Sequence, residues 1–166
     1  MRNLVFLLGC VLLVNACTPD ASAPQATTSS ASFDDQNLFE RLPSDQTQIT
    51  FNNQVTENLE LNTFTNDGIV QGAGVGVLDV NKDGLPDVFF AGNMVSDQLY
   101  LNEGAFRFQN ISQTAGFAQE STWSTGVAIV DINNDGYDDI YVCKFIYADP
   151  ARRRNKLYLN NQDNTF

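Results

Sequence analysis

The sequence predicts an all-β, turn-rich fold made of about two copies of a four-stranded antiparallel unit, preceded by a leader and a tether. Three observations carry this. The first is an internal repeat: residues 74–90, GVGVLDVNKDGLPDVFF, return at residues 126–142 as GVAIVDINNDGYDDIYV, an offset of 52. The second is turn chemistry, since 18 Asn and 11 Gly favour tight turns and positive φ. The third is 12 Phe and 5 Tyr, which suit strands more than helices.

Within the first unit, residues 74–80 form an apolar run with small residues, expected of a strand in a crowded place. Residues 87–91 read as a second strand and 97–101 as a third, with Leu99 and Leu101 on one face and Tyr100 on the other. Asn102-Glu103-Gly104 reads as a tight hairpin, followed by a fourth strand over 106–111. The motif Leu-Tyr-Leu-Asn recurs at 99–102 and 157–160, so the second unit carries six extra residues, within 145–156. Four antiparallel strands repeated at this length suggest propeller blades. The organisation expected is a unit over 72–123, a second over 124–166 that stops in its third-to-fourth strand hairpin, and a segment over 33–71 that adds part of a blade. Ile49-Thr50-Phe51 is its best strand candidate. Two blades cannot close a ring, so the chain reads as the N-terminal piece of a longer propeller, with the remaining blades expected downstream.

Residues 1–16 read as an export leader: Arg2 supplies the positive end and 4–14 an apolar run too short to span a bilayer as a helix. The run ends Val14-Asn15-Ala16-Cys17, which resembles the lipobox of bacterial lipoproteins. That resemblance implies lipidation of Cys17 and a lipid-anchored place in the cell envelope, at the bacterial outer membrane. Residues 18–32, TPDASAPQATTSSAS, are a solvated tether with a reach on the order of 20 Å. With Cys10 lost in the leader and Cys17 lipidated, Cys143 has no disulfide partner and reads as a small buried strand residue.

The net charge of −11 argues against nucleic acid as a partner. The absence of His removes a Ser-His-Asp triad and His general acid–base work. The acidic residues concentrate in one pattern, Asp-x-Asn-x-Asp-Gly-x-x-Asp. It comprises Asp79, Asn81, Asp83 and Asp87 in the first unit, and Asp131, Asn133, Asp135 and Asp139 in the second. Gly84 and Gly136 permit a sharp turn that lets the carbonyls of Leu85 and Tyr137 also face inward. An all-oxygen donor set in a flexible loop points to Ca²⁺, about two ions in a structural role. The spacing excludes an EF-hand, whose twelfth position needs Glu where this chain has Phe90 and Val142. Lys82, at the fourth position, is expected to point outward, and Asp138 is not counted as a ligand.

These residues resemble the FG-GAP/VCBS repeats of integrin-α-type β-propellers. Within that group they are most similar to a bacterial lipoprotein branch found with an ASPIC/UnbV domain and related to cartilage acidic proteins. The cues are Gly126-Val-Ala-Ile-Val-Asp131-Ile-Asn-Asn-Asp-Gly136, Leu157-Tyr-Leu-Asn-Asn161, and Phe108-Gln-Asn-Ile-Ser112 followed by Ala115-Gly116-Phe117. The likeness covers roughly residues 40–166. It implies a calcium-stabilised, surface-anchored binding module for an extracellular glycan or protein ligand, and not an enzyme. The alternative is a non-catalytic propeller portion of a secreted polysaccharide-degrading enzyme. Arg152, Arg153 and Arg154 read as a solvated basic loop. The sequon at Asn110 is expected to go unused, and Trp123 is expected to serve packing.

Overall fold

The computed structural model of the protein describes residues 39–117, 120, 122–147 and 149–166. The leader, Cys17 and the tether lie outside the described residues. Residues 40–166 form one compact unit.

Seven strands form two antiparallel sheets. Strands β1 (Val75–Leu78), β2 (Asp87–Phe90), β3 (Gln98–Asn102) and β4 (Phe108–Asn110) make a meander in that order. Strands β5 (Ser124–Val130), β6 (Asp139–Lys144) and β7 (Lys156–Tyr158) make the second. The fold is therefore nearly all β, with blade-like sheets as the repeat implies. The registers repeat as well: Gly76 opposes Phe89 and Phe89 opposes Leu99, while Ala128 opposes Tyr141 and Tyr141 opposes Leu157.

The core lies between the sheets. Leu78, Phe89 and Leu99 of the first sheet meet Ile140 and Val142 of the second, with Val127, Ile129 and Tyr158 packed against them. Burying side chains of this size stabilises by roughly 1.5–3 kcal/mol each. The inner strands β1 and β5 approach so closely that a Cβ at Gly76 would sit 2.7 Å from Ile129 Cδ1. Gly74 faces Val127 in the same way, at 3.0 Å. The small residues of the first strand are there for this close approach. A second cluster closes around Trp123, which is fully buried among Leu61, Ile69, Ile146 and Tyr147. Trp123 is thus a packing residue.

Three expectations are corrected. The hairpin after β3 is longer than a tight turn: the Glu103 N–H donates to the Arg107 carbonyl at 2.8 Å. Gly104, Ala105 and Phe106 all take positive φ, at 90°, 50° and 56°. Phe106 therefore belongs to the turn and is exposed, and β4 starts at Phe108. Ile49-Thr50-Phe51 forms no ladder. The Thr50 N–H donates to the Tyr100 hydroxyl at 3.3 Å, and Phe51 stacks on Phe90 with centroids 4.8 Å apart. The segment covers the middle of a sheet face, where no strand edge is open to it. Cys143 is a free thiol on β6, half-buried and not enclosed.

The six extra residues bulge between β6 and β7. Arg152 lays its guanidinium 3.3 Å from the Tyr147 ring centroid, while Arg153 and Arg154 are exposed. No helix among the described residues is long and apolar enough to cross a membrane.

Candidate metal loops

Each acidic loop connects the first two strands of its sheet, β1 to β2 and β5 to β6. The loops fold locally, through side chains bonding to backbone two to five residues away. In the first, the Asp83 N–H donates to both Asp79 Oδ1 and Asn81 Oδ1, each at 3.1 Å. The Gly84 N–H donates to Asp79 Oδ2 at 2.9 Å and the Leu85 N–H to Asp83 Oδ1 at 2.8 Å. The second loop repeats every bond. The Asp135 N–H reaches Asp131 Oδ1 and Asn133 Oδ1 at 3.0 Å each, the Gly136 N–H Asp131 Oδ2 at 2.8 Å, and the Tyr137 N–H Asp135 Oδ1 at 2.8 Å. The turn needs left-handed residues at two positions, and finds them at Lys82 and Gly84, and at Asn134 and Gly136.

The first and third positions of each loop thus converge on one amide, with the fifth position beside them. The ninth position stands apart. Asp87 is fully buried, with Oδ2 accepting the Val80 N–H at 2.8 Å and Oδ1 the Asn102 N–H at 2.7 Å. Asp139 does the same with Ile132, at 3.0 Å, and Asn160, at 2.8 Å. Each carboxylate clamps the loop's entry to the end of the third strand. A signal for this junction was in the sequence: the Asn of Leu-Tyr-Leu-Asn recurs because its side chain donates to the carbonyl just before the ninth-position Asp, that of Pro86 at 2.9 Å and of Asp138 at 3.4 Å, and accepts the amide two residues on. Burial raises the pKa of Asp87, against the pull of those two amides and with repulsion from Asp83 and Asp79. Asp135 is lowered, first by the Tyr137 amide, then by Asn133 and Gln162 side chains and by the charge of Lys82.

The donor chemistry fits a hard divalent cation. Every inward side chain in each loop presents oxygen, and the glycine turn is already made. The acids of each loop are directed at backbone amides, and among the described residues no three His, Cys, Asp or Glu side chains converge as a closed metal cluster. Should calcium bind, Asp79, Asn81, Asp83 and the Leu85 carbonyl would hold one ion, and Asp131, Asn133, Asp135 and the Tyr137 carbonyl the other. It would supply the positive charge that lets clustered carboxylates coexist.

Residues 79–142 match the family model of the FG-GAP-like repeat. The matched span runs from the first loop's opening Asp to Val142 of β6, so it holds both loops and the stretch between them. No curated protein matches the chain. The FG-GAP-like repeat supports a propeller-type extracellular domain, a class that is generally non-catalytic, and the two sheets are consistent with partial blades.

Two features escaped sequence reasoning. Lys82 is exposed, as expected, yet its ammonium leans over the second loop. Its ammonium lies 4.7 Å from the Tyr137 ring centroid, and a Cβ at Gly136 would be 3.1 Å from it. The fourth residue of one FG-GAP-like loop is therefore seated on the other loop. The second is a buried polar knot between the sheets. Lys144 Nζ contacts Asp97 Oδ2 at 2.7 Å, with the two side chains 2% and 6% exposed. Lys144 also donates to the Ser124 hydroxyl, which donates to Asp97 Oδ1. The Gly92 N–H adds a bond to Asp97 Oδ1 at 2.8 Å. An isolated Asp before one strand and Lys at the end of another leave no sequence signal of this kind.

Proposed function

We propose that this chain is a calcium-stabilised, non-catalytic binding module, tethered at the cell surface through lipid on Cys17 and recognising an extracellular glycan or protein. The observation that carries the calcium reading is the bond-for-bond identity of the two loops. A solvated turn needs no such duplication, whereas a shared ligand does. Asp79, Asn81, Asp83 and their counterparts hold the turn by accepting its backbone amides, and in doing so gather the same set of side-chain oxygens around each glycine turn. The ions serve the fold, because each ties a sharp turn between two strands. The anchor and the tether would hold the module off the membrane, with its loops free to meet a ligand.

The test is thermal unfolding of the full mature chain with millimolar calcium and with chelator. At a Kd of roughly 10⁻⁴–10⁻³ M, each site contributes about 1 kcal/mol at millimolar calcium. Asp83→Ala and Asp135→Ala should each remove one share of the calcium-dependent rise in Tm. A folded protein whose Tm ignores both calcium and chelator refutes the reading. For the anchor, Cys17→Ser should shift the protein from the detergent-extracted membrane fraction to the soluble one and abolish palmitate labelling. A glycan array on the calcium-loaded chain addresses the ligand class.

A further inference from the structure

Lys82 belongs to the first loop by sequence and to the second by position. Its backbone takes φ of 59°, the left-handed conformation that Asn134 takes at 57° in the second loop. The two positions are equivalent in backbone, so the turn itself does not call for lysine. What differs is the side chain. The Lys82 ammonium occupies the space beside Gly136 that a side chain there would fill, with Nζ 3.1 Å from the place of its Cβ. It lies over the Tyr137 ring, whose counterpart in the first loop is Leu85, which offers no such face. Both contacts are to residues of the second loop, one and two positions after Asp135.

We propose that Lys82 acts as a tethered cation of the second loop, weakening calcium binding there so that the two loops fill in order, the first before the second. This rests on the calcium reading above. The physical reason is that a fixed ammonium and an incoming divalent ion repel, while the same ammonium offsets the carboxylates when no ion is bound. The first loop keeps Asp79 and Asp83 at the ion's place, with its own lysine turned toward the neighbour. The second would have Asp131 and Asp135 with that borrowed charge beside them. Asn134 provides no counterpart directed at the first loop, because it is neutral. The difference in affinity is therefore built by one residue acting across the pair of sheets.

Calcium titration calorimetry on the full mature chain tests this, comparing wild type with Lys82→Asn and Lys82→Arg. Lys82→Asn copies the residue that the second loop already uses at this backbone conformation and removes the charge together with the ring contact, and Lys82→Arg separates the two. The wild type should show two unequal sites. In Lys82→Asn the weaker site should tighten roughly fivefold, the scale of one charge acting on a divalent ion through solvent. Adding Asp135→Ala to that variant should abolish the site that tightened, which assigns it to the second loop. Lys82→Arg keeps the charge and should keep the unequal pair. Terbium luminescence excited through tyrosine gives a second readout, since Tyr137 is part of the second loop. Two sites in every protein with no change on Lys82→Asn overturns the role of Lys82 and leaves the calcium reading standing. The same tightening in Lys82→Arg also overturns it, because packing and not charge would then be the cause. No ion binding in any of the three proteins overturns both.

Discussion

Replacing Lys144 by Met should be among the most damaging single changes in the core between the sheets. The methionine side chain follows the lysine stem and removes only the ammonium. Asp97 would then keep the Gly92 N–H at 2.8 Å and the Ser124 hydroxyl, and lose the charge at 2.7 Å. With the side chains only 2% and 6% exposed, water cannot replace what is lost. Breaking a buried ion pair from one side costs about 3–5 kcal/mol, because a charge is left behind in a poorly solvating place. Asp97→Asn, which strands Lys144 instead, should cost a similar amount. The double variant leaves no unpaired charge and still offers an acceptor to Gly92. It should be less destabilised than the sum of the singles by about 2–3 kcal/mol. Urea denaturation of the protein, read by tyrosine and tryptophan fluorescence and by circular dichroism, gives all four free energies. Singles that each lose less than about 1 kcal/mol, or a double variant equal to their sum, would refute the view that this pair joins the sheets.

The same lysine sets a pH dependence. Burial lowers its pKa from 10.5, against the attraction of Asp97. The unfolded chain therefore binds more protons than the folded one between the folded-state pKa and 10.5, and stability rises with pH across that window. The free-energy difference between wild type and Lys144→Met, measured from pH 7 to 10.5, should shift in favour of wild type as pH rises; a flat or opposite trend contradicts the assignment. Asp87→Asn should destabilise by about 2–3 kcal/mol in chelator as well as in calcium, because an amide NH₂ would face one of two backbone donors at 2.7 and 2.8 Å. If chelator abolishes the difference, the ninth-position Asp works through the ion and not through the backbone. Gly76→Ala should cost about 1–3 kcal/mol by overpacking against Ile129, whose Cδ1 stands 2.7 Å from the new Cβ, and Ile129→Val should recover part of it. Unfolding midpoints that ignore the second change would show that β1 and β5 are not in the contact described.

What was legible in the sequence is what short-range chemistry decides. The strands of both units follow from short apolar runs between Asn, Asp and Gly turns. The loops follow from side chains bonding to amides two to five residues away, so a pattern of nine residues carries all the information needed. Repetition made the pattern secure, because the same bonds had to serve twice. The hairpin at Gly104–Phe106 was misread for a local reason: positive φ at Ala105 and Phe106 is not what those residue types favour, so nothing in their identity announced a longer turn.

The remainder belongs to tertiary structure. Lys82 and Gly136, Asp97 and Lys144, and Phe51 and Phe90 meet only because two sheets and a covering segment are stacked. The direction of a long side chain such as Lys82 is set by what stands across from it, and the turn that holds its backbone is silent on that. A buried Lys–Asp pair is likewise invisible to patterning, since each residue alone reads as exposed polar surface. Local order in this protein is written in contiguous residues, where hydrogen-bond partners are close in the chain. The charges that distinguish one loop from the other, and that fasten one sheet to the next, depend on partners brought together by packing of the apolar faces between them.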